Sequence, residues 1–136
     1  MSALTEYIEA WKSNDTDSIL AAVTADVVIT ESFGPIYRGR DRVREWCEKW
    51  NAQGSRVHDW VVTNELAIGD TLVAEWRFDY HQDGRDRSFL GATIATVRDG
   101  RIAELREYAV TADLYTWEGE WQEPPLIAQT SANLDD

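Results

Sequence analysis

The chain has 136 residues, 43% of them hydrophobic, and 25 Asp and Glu against 13 Lys and Arg, for a formal charge of −12. This length fits one domain that buries a core without staples. The acidic balance argues against nucleic acid and against anionic membrane surfaces as partners. The single cysteine, Cys47, excludes an intrachain disulfide and agrees with a reducing compartment. No basic start followed by an apolar run opens the chain, and no apolar stretch approaches the roughly 18 residues of a membrane span. A cytoplasmic protein is expected. Seven Trp point to aromatic surface lining a pocket or an interface.

Ser2 is a fitting N-cap for a first helix in which Leu4, Tyr7, Ile8 and Trp11 recur at helical spacing. Asp15 or Thr16 then caps a short second helix carrying Ile19, Leu20 and Val23. Asp26 to Phe33 reads as a strand ended by Gly34-Pro35. Asp41 is the expected N-cap of a third helix, whose stripe is Val43, Trp46, Cys47 and Trp50. From Arg56 the period changes to two. Strands are predicted over Val57–Ile68, Thr71–His81, Arg87–Val97 and Ile102–Val110, joined at Gly69-Asp70, Gln82-Asp83-Gly84 and Asp99-Gly100. Beyond residue 113 no firm period exists; Trp117, Trp121 and Pro124-Pro125 suggest an ordered extension. The expected layout is one domain over residues 1–127 and a flexible polar tail over 128–136. Helices gathered on one face of an antiparallel sheet make the class α+β.

Glu107 is the most suggestive residue. Its same-face neighbours on the last strand are Ala103, Leu105 and Ala109, so a lone carboxylate stands on an apolar face and marks the floor of a pocket. Desolvation there raises a carboxyl pKa and suits it to acid or base work near neutral pH. On the Thr71–His81 strand, Leu72, Ala74, Trp76, Phe78 and Tyr80 occupy one face, and Val73, Glu75, Arg77 and Asp79 the other. Two arrangements are open. Arg77 and Asp79 either belong to a solvated outer face, or line the cavity while the aromatic face is covered by a second copy.

Three segments carry a family resemblance: Ala25-Asp26-Val27, Tyr37-Arg38-Gly39-Arg40-Asp41, and Asp99-Gly100-Arg101-Ile102 leading to Arg106-Glu107-Tyr108. In this order they resemble the nuclear transport factor 2-like superfamily, and within it the SnoaL-like (polyketide cyclase-like) and limonene epoxide hydrolase branch. The resemblance implies a cone-shaped α+β barrel, with three N-terminal helices on a strongly curved, mostly antiparallel sheet. It also implies a cavity between the layers and a homodimer formed through the outer sheet face. Leu105-Arg106-Glu107-Tyr108 stands where the branch has a Trp-Arg-Asp-Tyr motif, with Glu in place of Asp and Leu in place of Trp. Trp76-Arg77-Phe78-Asp79 fits the Arg-x-Asp pair of the epoxide hydrolases, but Ile29 and Glu31 stand where that branch has a water-holding Tyr and Asn. Hydrolysis of an epoxide is thereby disfavoured relative to a generic SnoaL-like activity.

The expected catalytic set is Glu107 with Arg77 and Asp79. Glu31 is a second acid or a strand-end carboxylate, and His58 a base or a structural residue. Tyr7, Trp11, Phe33, Trp46, Trp50 and Trp60 come from elements that surround the cavity, mostly as core, with a subset lining a pocket for an apolar ligand. Asp79-x-His81-x-Asp83 lacks a supporting metal motif, so no metal site is expected. No cofactor is expected either, since phosphate-binding glycine motifs, nucleophile elbows and dinucleotide fingerprints are missing. The functional expectation is a small-molecule-binding domain working as a cofactor-independent isomerase, cyclase, dehydratase or hydrolase, the alternative being a non-catalytic ligand-binding or dimeric scaffold domain.

Overall fold

The Ser2 hydroxyl accepts a hydrogen bond from the Thr5 backbone N–H, which starts α1 (Ala3–Lys12) in the computed structural model; the structure describes residues 1–123. Leu4, Tyr7, Ile8 and Trp11 form the buried stripe of this helix, and α2 (Thr16–Ala21) packs against it with Ile19 and Leu20 inward. β1 spans Val23–Thr30, starting and ending three residues before the predicted Asp26–Phe33. Its start is fixed by burial, since Val23 is fully enclosed beside Ile102. Its end is fixed by a turn in which the Glu31 N–H donates to Pro35 O and the Gly34 N–H to Glu31 O. A short strand that the sequence did not signal, β2 (Ile36–Arg38), then pairs antiparallel with β1.

Gly39, at φ +88°, caps α3 (Arg40–Ala52) in place of the expected Asp41. Asp41 sits in the first turn, where its charge still complements the helix dipole. Val43 and Cys47 are buried; Trp46 and Trp50 are half-buried against the core.

The remaining chain forms β3 (Arg56–Ile68), β4 (Thr71–Gln82), β5 (Arg85–Arg98) and β6 (Arg101–Ala109). The Asp83-Gly84 and Asp99-Gly100 turns have positive φ at both residues, the type I′ geometry that matches strand twist. The six-stranded sheet has the order β2-β1-β6-β5-β4-β3 and is curled but unclosed, with β2 and β3 as its edges. Every pairing is antiparallel except β1 with β6. The helices and the inner sheet face enclose one core, in which Leu4, Ile8, Val27, Ile29, Val43, Ile102 and Leu105 are almost wholly buried. Each such side chain contributes roughly 1.5–3 kcal/mol by leaving water.

Burial settles the sidedness of β4. Leu72, Ala74 and Trp76 are buried, whereas Glu75 and Arg77 are exposed. On the partner strand Gly91 lies opposite Trp76, and its lack of a side chain is a packing requirement. An added Cβ would fall 2.4 Å from Trp76 Cη2 and 2.5 Å from the Tyr108 carbonyl oxygen.

Residues 110–123 contain neither helix nor strand. The Trp117 and Trp121 rings meet at 5.4 Å, both exposed, and the Gln122 N–H donates to Tyr115 Oη. Pro124-Pro125 and the predicted tail lie outside the described residues. Among the described residues no helix is long and apolar enough to cross a membrane.

Candidate functional site

β6 carries Glu107 into the core, 9% exposed, behind the wholly buried Leu105 and Ile102. The alternation that reaches it is not simple. Val97 pairs with Ile102, but Thr96 pairs with Glu104, so Ala103 is an extra residue in β6. The bulge shifts the register and sets Thr93, fully buried, directly across from Glu107.

Thr93 links two strands by a hydrogen-bond chain of fixed direction. Trp76 Nε1, a donor only, donates to Thr93 Oγ1 at 2.8 Å; the Thr93 hydroxyl donates onward to Glu107 Oε2 at 3.0 Å. Glu107 therefore accepts at that oxygen. Its neighbour on the other side is Glu31, whose carboxyl group is close enough for the two acids to perturb each other. The Glu31 residue is half-buried at the turn after β1, with its carboxyl end enclosed beside Glu107. Parallel pairing of β1 with β6, Thr30 beside Arg106, brings the turn to the site.

Desolvation is the largest effect on both acids and raises both pKa values. For Glu31 the neighbouring Glu107 charge pushes in the same direction, well above the usual carboxylate range. For Glu107 the proximity of the Glu31 carboxyl group and the hydrogen bond from Thr93 oppose the rise. The two acids titrate as a coupled pair that holds a proton above the usual carboxylate range. No Arg or Lys pairs with either carboxyl group among the described salt bridges.

Aromatic rings surround the pair. Tyr7 is fully buried, with its phenol pKa raised first by desolvation and then by Glu107 and Glu31. Its ring meets Trp60 at 6.2 Å, and Trp60 meets Trp76 at 5.5 Å, both edge to face. On the other side Trp11 contacts Trp46, which stacks on Tyr37 at 4.5 Å. Tyr37 in turn has its pKa raised by desolvation and by the Glu31 charge. Tyr7 Oη and the Nε1 atoms of Trp11, Trp50 and Trp60 are buried without a hydrogen-bond partner. Two surface clefts, about 570 and 290 Å³, lie near the start of α3 and along its flank; neither is lined by Glu31 or Glu107.

The other expected residues are placed apart. Arg77 and Asp79 lie on the outer face and pair with each other at 3.2 Å; Asp79 also accepts from Ser88 Oγ at 2.6 Å. The sheet separates them from Glu107, so they do not join it, and the aromatic face of β4 is core rather than a seam for a second copy. His58 is exposed and turned outward by a bulge in β3. Phe33 is 69% exposed in the turn before β2. Tyr7, Trp11 and Trp60 are buried, Trp46 and Trp50 half-buried. Thr93, Trp76 and Tyr37 are the site residues that sequence reasoning did not single out. A plain two-residue hairpin at Asp99-Gly100 sets Ala92 opposite Glu107, and only the bulge at Ala103 brings Thr93 there.

A match to the SnoaL-like domain family spans residues 4–105. Among solved structures, a protein from Catenulispora acidiphila with a ketosteroid isomerase-like fold, in complex with trimethylamine, is 21% identical at a TM-score of 0.70, covering 78% of this chain and 83% of the other. An epoxide hydrolase of the LEH-like type from M. tuberculosis is 20% identical at a TM-score of 0.71, covering 79% and 80%. These two likenesses show the fold alone. A candidate polyketide cyclase from Xanthomonas campestris pv. campestris is 25% identical at a TM-score of 0.64, covering 78% and 86%. No curated protein sequence matches the chain significantly.

Proposed function

Because the chain belongs to the SnoaL-like domain family, we propose that it binds an apolar small molecule beside the Glu31–Glu107 dyad and acts on it by cofactor-independent proton transfer. The observation that carries this reading is the pair itself: two neighbouring carboxyl groups, both pKa values raised first by desolvation, inside an aromatic shell with no cation paired to either among the described salt bridges. Such an arrangement costs stability, and a fold keeps it most readily when the shared proton has work to do.

The roles follow from the hydrogen-bond directions. Glu107, held by Thr93, is the base: it removes a proton from a carbon or a water. Glu31 is the acid: it protonates the oxygen on which charge develops, and the dyad is reset when the proton that Glu107 has gained passes on to Glu31. Tyr7 Oη and Trp60 Nε1, both without partners, are further donors for a ligand oxygen. Isomerisation, cyclisation and dehydration use this chemistry, and so does hydrolysis with Glu107 activating the water. Arg77 and Asp79 have no part in it.

The test is a panel of cyclic ketones, epoxides and polycyclic aromatics, with binding followed by tryptophan fluorescence and turnover by mass spectrometry. Glu107→Gln is expected to retain binding and to lose about 10²- to 10⁴-fold in rate. Turnover unchanged in that variant defeats the assignment.

A second reading is a non-catalytic ligand-binding domain, favoured by the unpartnered buried donors, which suit recognition as well as catalysis. Saturable binding without turnover of any bound compound supports it. In either reading the chain acts as a homodimer through the outer sheet face, where Leu90 and Tyr108 are exposed. A monomer in light scattering at micromolar concentration refutes the dimer.

A further inference from the structure

At the far end of the β4–β5 hairpin, on the face opposite the dyad, three side chains converge. His81 and Asp86 are a directly facing antiparallel pair beside the Asp83-Gly84 turn. His58 is the extra residue of the β3 bulge between Val57 and Asp59, and the bulge turns its ring toward the same place. His58 Nε2 lies 2.9 Å and His81 Nδ1 2.8 Å from one atom, Asp86 Oδ1. One donor atom from each residue lies within 4.8 Å of the others. In sequence nothing announces this, because the two histidines are brought together by register and not by motif spacing.

We infer that His58, His81 and Asp86 form a surface site for a divalent transition-metal cation of the Zn²⁺ type. The donor set is two imidazole nitrogens and one carboxylate oxygen, which selects borderline cations over Mg²⁺ and Ca²⁺. Tetrahedral Zn²⁺ with bonds of about 2.0–2.1 Å needs its ligand atoms roughly 3.3 Å apart. The observed Asp–His separations need to open by about half an ångström, a shift within the reach of side-chain rotation. Both imidazoles then present lone pairs where they now face the carboxylate with N–H groups. The three residues stand on three neighbouring paired strands, so little ordering entropy is lost on binding.

Electrostatics favour the same outcome. Asp86 contacts no basic side chain other than these two histidines among the described salt bridges, so its carboxylate is not committed to an Arg or Lys. A chain of charge −12 also draws cations toward its surface. His58 is exposed and Asp86 is more so, which leaves a fourth coordination position open to water, a small anion or a side chain of another molecule.

Isothermal titration of the untagged protein with Zn²⁺, with Mg²⁺ as control, tests the site. One Zn²⁺ per chain with micromolar affinity is expected, and no saturable Mg²⁺ binding. His58→Ala and His81→Ala, both surface changes, should each weaken Zn²⁺ binding by at least about tenfold. Co²⁺ in place of Zn²⁺ should give a visible band of four- or five-coordinate intensity in the wild type but not in the double variant. Absence of saturable Zn²⁺ binding below millimolar concentration overturns the inference. So does unchanged binding in the His58→Ala/His81→Ala protein, which would place the ion on other acidic groups.

Discussion

Glu107 and Asp79 are both carboxylates on the long antiparallel strands, and each accepts a hydrogen bond from a hydroxyl of β5, Thr93 in one case and Ser88 in the other. Their remaining partners differ. Asp79 has Arg77 beside it on the outer face; Glu107 has a second acid beside it in the core. The contrast extends to other residues. Asp59, Asp26 and Asp86, all at the surface, have pKa values lowered by donors such as the Trp60 N–H, the Thr24 hydroxyl and His81. Glu31 and Glu107, enclosed, have theirs raised by desolvation. The molecule thus carries two populations of carboxylate, one anchored by donors at the surface, the other enclosed and poised to hold a proton.

The strongest way to break the separation is to disturb the packing that holds Trp76. Gly91→Ala drives a methyl group into the indole and a backbone carbonyl, and is expected to cost about 3 kcal/mol in urea denaturation. A loss below about 0.5 kcal/mol would show that the Trp76 position is not fixed as described. Thr93→Val keeps the shape and removes the hydroxyl. It leaves the Trp76 N–H unsatisfied, costs roughly 1–3 kcal/mol, and moves the Glu107 titration further upward in an infrared carboxyl titration.

Glu31→Gln tests the sign of the inner population. An acid whose folded pKa lies above its unfolded value contributes stability below the unfolded value of about 4.3, and that contribution is lost as pH rises through the folded value. The wild type should therefore lose stability on going from acid to neutral and alkaline pH because of this group. The variant should not, so its melting temperature gains on the wild type as pH increases. Parallel curves would contradict the buried, protonated Glu31.

The outer population should respond least. Arg77→Ala is expected to change stability by less than about 0.5 kcal/mol and to leave the dyad titration unmoved. At the same low end, Cys47 is buried with its thiol pushed up to about 12, so alkylation of the native protein should be negligible over hours.

Helix periodicity, strand alternation and Asp-Gly turns made the element order legible in the sequence, because each is written in consecutive residues. The inward aspect of Glu107 was legible for the same reason. Arg77 and Asp79 illustrate the limit: alternation offered two faces, and only the packed core around Trp76 decided between them. Glu31 and Thr93 were harder to place. Their meeting with Glu107 depends on a parallel strand pairing and on one extra residue at Ala103, and neither leaves a pattern in the local sequence. The short β2 escaped notice because three residues carry no period.

The parallel neighbour of β6 has a consequence for how the protein comes into being. β1 is made early and β6 late, yet they lie side by side with Ile29 facing Leu105. Until the last strand emerges, β1 has only the three-residue β2 along one side, and its other edge is open to any strand that finds it. Closing so long a loop is slow compared with forming the hairpins among β3, β4, β5 and β6. The docking of β6 beside β1 therefore completes the sheet and brings the two acids together at the same time.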